Sequence, residues 1–239
     1  MNGIVTLTTD FGTVDGYVGA MKGVILREHP DARVVDITHD VPPQDIIAGA
    51  FAVAAAAPWF PPGTVHVAVV DPGVGSARRA IAIAHGGSLY VGPDNGLLTV
   101  AALEGEGRVI DRIPPTWPVS ATFHGRDLFA RVAARLAAGA SLDDFSTGPV
   151  APLRLVEDPA PHVVHVDRFG NLVTNLRDPA FTAVEVAGAR APLRRTYTDV
   201  PPAGLVAYVG SSGFVEVAIR DGSAAERLGV GRGAPVRAV

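Results

Sequence analysis

Apolar residues in the first part of the chain recur in two alternating rhythms. Ile4-Val5-Thr6-Leu7-Thr8, Arg33 to Ile37 and Thr64 to Val70 are β-branched runs of the kind that form strands in α/β sheets. Between them, Tyr17, Val18, Met21, Val24 and Ile25 fall at helical spacing, with Asp15 as the expected cap, and a second helix is expected from Gln44 to Ala57. Ala80 to Ala84 and Ser88 to Val91 read as a hairpin across His85-Gly86-Gly87, followed by a short helix over Leu97 to Leu103 and a strand over Arg108 to Arg112. A further helix is expected over Arg126 to Ala138, with Leu128, Phe129, Val132 and Leu136 as its buried stripe and Arg131 and Arg135 on its wet face. This alternation predicts a Rossmann-like α/β domain over residues 1–150.

After Gly139 the periodicity gives way to Gly/Pro punctuation, and residues 151–161 are expected to link two domains. Short apolar runs then follow at regular spacing: His162 to Val166, Leu172 to Leu176, Val184 to Val186, Arg194 to Thr198, Leu205 to Val209, Phe214 to Ile219 and Pro235 to Val239. They predict a small all-β barrel domain over residues 162–239. A cleft where the two domains meet is the expected place for a ligand.

Composition narrows the function classes. The chain has 239 residues, 48% of them hydrophobic, which supplies ample core. Its net charge of −4, with 20 Lys+Arg scattered along the sequence, offers no basic field for a nucleic acid. The most apolar window, Ile46 to Phe60, is short, alanine-rich and ended by prolines, and the amino terminus lacks a signal pattern, so a soluble cytoplasmic protein without a membrane partner is expected. The absence of cysteine rules out disulfides, thiolate nucleophiles and cysteine-bound metal sites. Lys22 is the only lysine, which excludes a Walker-type loop and a kinase, since both need a lysine on the phosphates.

Four polar clusters carry candidate chemistry. Asp71-Pro72-Gly73-Val74-Gly75-Ser76-Ala77-Arg78-Arg79 follows a strand and sets an acid and arginines at the carboxyl edge of a parallel sheet, where open α/β folds keep their ligands; the plainer reading is a tight turn with solvated arginines. Asp10, in Thr8-Thr9-Asp10-Phe11-Gly12, stands where an acid would accept from a ribose diol, or would simply cap a turn. A lone histidine before a helix is usually structural, but His124 stands just ahead of a helix amino terminus and adjoins Gly125, which permits close backbone approach to a ligand. In Asp167-Arg168-Phe169-Gly170-Asn171, Phe169 offers a stacking face and Asn171 can pair with an adenine edge, although the same pattern suits an ordinary hairpin turn.

These clusters, together with Asp36-Ile37-Thr38-His39, Gly92-Pro93-Asp94-Asn95-Gly96 and Ser211-Ser212-Gly213, occur in the order seen in S-adenosyl-L-methionine hydroxide adenosyltransferases, and the resemblance spans nearly the whole chain. The family is related to the fluorinating and chlorinating enzymes. The resemblance implies that water or hydroxide displaces methionine from C5′ of S-adenosylmethionine, giving adenosine and L-methionine, with Asp71, Arg78 and His124 as the catalytic triad. It further implies that Asp10 holds the ribose, Phe169 and Asn171 the adenine and Asp167 the methionine ammonium, while Ser211, Ser212 and Glu216 line the pocket and Gln44, Asn95 and Gly125 are further substrate contacts. The halogenating relatives carry tyrosine at the positions of Asp71 and His124 and a halide-contacting serine at Gly125, so this chain resembles the hydroxide type; it also lacks the extra loop of the fluorinating branch. Ser212 departs from the arginine that the fluorinating branch uses for the methionine carboxylate. The likeness implies a homotrimer with sites between subunits.

The chemistry needs neither metal nor cofactor. Attack of an anion on a sulfonium cancels two charges, and methionine leaves as a neutral thioether without a general acid. Two rival readings stay open at this level: a receptor that binds S-adenosylmethionine or adenosine without chemistry, and a nucleoside hydrolase using Asp10 and Asp71 as a pair of bases or a metal site.

Overall fold

Burial along nearly the whole of β1 (Ile4–Thr9) marks a strand covered on both faces. The structure, a computed structural model, describes residues 1–102, 104–155, 160–177 and 179–239. The chain divides into two compact units, Met1–Leu155 and Val156–Val239. In the first, β1 is followed by α1 (Tyr17–Glu28), β2 (Arg33–Thr38), α2 (Ile46–Ala56), β3 (Val65–Val69), β4 (Ala80–His85), β5 (Ser88–Pro93), β6 (Glu106–Val109) and α3 (Ala130–Ala137). The strands make one mixed sheet in the order β2-β1-β3-β5-β4-β6. β1 runs parallel to β2 and β3, β3 parallel to β5, and β4 antiparallel to both of its neighbours.

The two sheet faces bury different helices. Val5, Leu7, Val67 and Val91 pack with Met21 and Ile25 of α1 and Leu136 of α3, while Ala68, Val70, Ile81 and Ile83 pack with Ala50 and Val53 of α2. Each fully buried aliphatic side chain contributes roughly 1.5–3 kcal/mol by leaving water. These cores fix where the strands end. Because the chain leaves β1 for β2 on one side and returns to β3 on the other, the carboxyl ends of β1 and β3 border a topological switch point.

The second unit is built from two antiparallel sheets. β7 (Val163–Val166), β8 (Leu172–Thr174), β11 (Leu205–Val209) and β12 (Val215–Ile219) pair in the order β11-β12-β8-β7, and β9 (Ala183–Val186), β10 (Ala189–Pro192) and β13 (Val236–Ala238) in the order β10-β9-β13. Val163, Leu172, Val184, Val215 and Val217 meet in its core, with α4 (Ala224–Leu228) following β12.

Several expectations are corrected. Asp15 does not cap α1: Gly16 occupies the N-cap position, and no side chain caps the helix. Asp45 caps α2 by accepting from the Ala48 N–H at 2.9 Å, and Gln44 lies outside the helix at φ +65. Arg131 is buried rather than wet, its guanidinium lying 5.2 Å over the Trp117 ring, whereas Arg135 reaches Glu28 at 2.9 Å. The segment expected as a helix from Leu97 is a series of turns through residue 102; Leu103 lies outside the described residues. β6 ends at Val109, because the N–H groups of Asp111 and Arg112 both turn to the Phe145 carbonyl. The strand expected over Arg194 to Thr198 is absent: β10 precedes it and a helical turn occupies Tyr197–Asp199. The expected linker begins within the first unit, where Leu153 N–H donates to Asp94 at 2.7 Å, while residues 156–159 lie outside the described residues.

Candidate active site

β3 ends at Val69, and the turn that begins at Asp71 folds Arg78 back onto the Asp71 carboxylate. Val74 N–H donates to the Asp71 carbonyl and Ser76 N–H to the Gly73 carbonyl, both at 3.1 Å, while Ser76 Oγ accepts from Arg78 N–H at 3.2 Å. Gly75 sits at φ +77, and a Cβ there would lie 2.5 Å from the Ala121 carbonyl oxygen, so only glycine allows the turn to touch the segment that carries His124. Arg78 Nε donates to both Asp71 oxygens, at 2.9 and 3.1 Å, and Nη2 closes the bidentate pair. The two side chains are only 11% and 5% exposed, and Phe129 backs the guanidinium at 5.3 Å.

The same Nη2 lies 2.8 Å from His124 Nδ1. A guanidinium nitrogen can only donate, so Nδ1 is the acceptor and the neutral ring carries its proton on Nε2. Burial pushes the His124 pKa below the ordinary imidazole range, and the Arg78 charge pushes it further; Asp71 and Asp127 oppose them. His124 precedes a π-helical turn, Gly125–Phe129, which leads into α3. Gly125 packs tightly on Phe11, whose ring atoms would lie 3.3 Å from a Cβ.

Asp71, His124, Gly125 and Phe11 line a cleft of about 430 Å³ at the switch point, shared with Asp10 and Gln44; Arg78 is not among the lining residues. Asp10 Oδ2 accepts the Gln44 backbone N–H at 2.8 Å, which the positive φ of Gln44 makes possible. Asn95 is not among the lining residues: its amide donates to Val70 O at 2.8 Å and accepts from Leu97 N–H at 3.1 Å, steadying the end of β3. Sequence reasoning assigned no role to the aromatic wall of this cleft, where Phe11, Tyr17 and Phe123 meet pairwise at 6.0, 5.8 and 5.4 Å between ring centres. Phe11 and Phe123 are nonetheless the immediate sequence neighbours of Asp10 and His124.

The second unit holds its own polar cluster. Asp167 Oδ1 accepts from the N–H groups of Phe169 and Asn171 at 2.9 and 2.8 Å, and Oδ2 accepts from the Asn171 amide at 2.8 Å. This fixes Asn171, which is buried, and leaves Phe169 76% exposed with its ring free of the turn. Asn171 also reaches the Tyr197 hydroxyl at 3.4 Å; that hydroxyl lies 2.6 Å from Tyr208 Oη, which donates to Glu216 at 2.7 Å. Burial raises the Glu216 pKa, the Tyr208 hydrogen bond pulls it down and the Asp167 charge raises it again. The Tyr208 pKa is also raised, first by burial. The two tyrosines were missed because no motif encloses them. Ser211 is exposed and Ser212 half-buried in the turn between β11 and β12.

Among the described residues no group of His, Cys, Asp and Glu is arranged to hold a metal ion. No helix among them is long and apolar enough to cross a membrane.

Residues 5–146 match the model of the SAM hydroxide adenosyltransferase N-terminal domain, and residues 161–237 that of the C-terminal domain. An (R)-S-adenosyl-L-methionine hydrolase from Thermus thermophilus is 47% identical over 98% of this chain and 98% of its own. A fluorinase from an Actinoplanes species is 28% identical over 91% of each chain. The crystal structure of an uncharacterized conserved protein from Thermotoga maritima superposes with a TM-score of 0.89 at 35% identity, covering 98% of both chains.

Proposed function

The chain belongs to the SAM hydroxide adenosyltransferase family, and from that premise we propose that it hydrolyses S-adenosyl-L-methionine to adenosine and L-methionine by attack of water at C5′. The reading rests most on one observation: Arg78 pairs with Asp71 of the same turn and donates to His124 of a distant segment, and Asp71 and His124 both line a cleft that Asp10 shares. Asp71 accepts the water proton, and Arg78 and the His124 Nε2–H steady the hydroxide charge that develops. The C5′–S bond breaks as the C5′–O bond forms, and both sulfur electrons leave with neutral methionine. Asp10 takes the ribose hydroxyls, Phe169 and Asn171 the adenine, and Asp167 the ammonium group, with Ser211, Ser212 and Glu216 along the methionine.

No metal or cofactor takes part, because a thioether leaving group needs no Lewis acid; turnover should survive a chelator. The relatives' name specifies the R configuration, and the same epimer is assigned here as substrate. A Rossmann-like first domain, a β-barrel second domain and a cytoplasmic location belong to the same proposal, the first supported by the strand order β2-β1-β3 and the second by two antiparallel sheets. So does a homotrimer with shared sites, supported by α2, which carries no polar side chain and leaves Ile47 41% exposed near its start, with Trp59 78% exposed after its end. Mass in solution tests it.

The deciding experiment is incubation with the substrate in ¹⁸O-water, followed by chromatography and mass spectrometry. Adenosine labelled at its 5′-hydroxyl is expected. Unchanged substrate would leave a receptor, and free adenine would mark a nucleoside hydrolase.

A further inference from the structure

Asp36-Ile37-Thr38-His39 has no part in the proposed chemistry, yet it ends β2 directly beside the turn that carries Asp10. His39 is buried at 5% exposure, with Nδ1 2.8 Å from Thr9 Oγ1. Its Nε2 stands 3.1 Å from Asp36 Oδ1, close enough for charge attraction though not aligned as a hydrogen bond. The other Asp36 oxygen takes the ammonium of Lys22 at 2.6 Å. On the side of the turn, Phe11 N–H donates to Thr9 Oγ1 at 3.2 Å, and Gly12 N–H donates to the His39 carbonyl at 2.8 Å. Residues 10–12 therefore hang from His39 twice, through its ring by way of Thr9 and through its own carbonyl.

The carboxylate beside Nε2 selects one arrangement. It favours the ring proton on Nε2, which leaves Nδ1 to accept from the Thr9 hydroxyl while the Thr9 oxygen accepts from Phe11 N–H. The Asp36 carboxyl, which burial alone would push up, is held below its usual range by Lys22 and His39, so it stays anionic. Such outer partners orient the groups they touch.

We infer that His39 is a positioning residue for the ribose-binding carboxylate: the chain Lys22–Asp36–His39–Thr9 locks the turn that presents Asp10, whose Oδ2 is anchored independently by Gln44. The inference rests on the proposed reaction and extends it to residues that do not touch the substrate.

Thr9→Val keeps the shape of the side chain and removes the hydroxyl. Because a ribose contact is made in the ground state and the transition state alike, KM should rise about tenfold with kcat nearly unchanged, and adenosine affinity should weaken by the same factor in calorimetry. Thr9→Ser, which restores the hydroxyl, should return both values to about those of the unaltered enzyme. Unchanged KM and adenosine affinity in Thr9→Val, a fall in kcat alone, or failure of Thr9→Ser to rescue would each overturn the inference. Should Thr9→Val fail to fold, His39→Asn keeps an acceptor near Nδ1 and should bind adenosine more tightly than His39→Leu; equal affinities would count against the proposal. The unaltered enzyme in the same assay separates the two levels. If it forms no adenosine, the reaction is wrong; if it does and Thr9→Val matches it, only the positioning role is wrong.

Discussion

The polar clusters of the two units handle charge in opposite ways. In the first unit full charges oppose one another at close range: Asp71 and Arg78 form a nearly water-free bidentate pair, and His124 is kept neutral beside it. In the second, Asp167 spreads its charge over two backbone N–H groups and an amide, and Glu216 ends a line of tyrosine hydroxyls. The difference fits two tasks. A reaction in which charge moves needs fixed ions that do not reorganise, whereas the binding proposed for the second cluster, an adenine edge at Asn171 and an ammonium group at Asp167, needs oriented donors and acceptors. The first cluster should therefore govern kcat and the second KM.

The strongest challenge to this division is Arg78→Ala. It removes the partner of a buried carboxylate and the donor to His124 together, so kcat should fall on the order of 10²-fold or more while adenosine still binds. The same change should destabilise the fold by about 3–5 kcal/mol, since Asp71 is left buried and unpaired, and thermal melting would register it. Arg78→Lys should recover little activity, because one ammonium cannot span both partners. Near-normal turnover in either variant would remove the ion pair from the chemistry.

In the second unit, Asn171→Ala should raise KM about tenfold with kcat nearly intact, as expected for lost binding common to ground and transition states. A large fall in kcat instead would break the division. Tyr208→Phe cuts the hydroxyl line at its middle; a stability loss of about 1 kcal/mol and a smaller rise in KM are expected, read by denaturant titration and initial rates.

The mildest test is pH. The His124 pKa lies below the ordinary 6.5, so the neutral ring that accepts from Arg78 persists as acid is added through that value. Protonation at lower pH would put a second cation beside the guanidinium and remove the acceptor at Nδ1. The acid limb of log kcat should thus fall below pH 6.5, and the stability linked to the neutral ring should be lost in that same lower range. A limb above 6.5 would mean that the ring is not neutral in the resting enzyme.

Much of this arrangement was legible in the sequence, for identifiable reasons. Strand ends and turns announce themselves through β-branched runs closed by Asp, Gly and Pro, so the segments of Asp10, Asp71 and Asp167 were found. What sequence spacing cannot register is contact across long separations. Arg131 and Arg135 both lie over the Trp117 ring yet only Arg131 is buried, Asn95 spends its amide on the neighbouring backbone, and Tyr197 and Tyr208 join Asn171 to Glu216 through the tertiary fold. α4 was missed despite a usable signal: Ser223 accepts from Glu226 N–H and Gly229 closes the helix at φ +63.

Gly75 carries a practical consequence for anyone who redesigns this protein. Its missing methyl is where one loop rests on the backbone of another, so a mutagenesis library that varies this position would spend its members on chains whose arginine and imidazole drift apart. Attempts to alter the nucleophile should leave that glycine fixed and vary the surrounding wall instead.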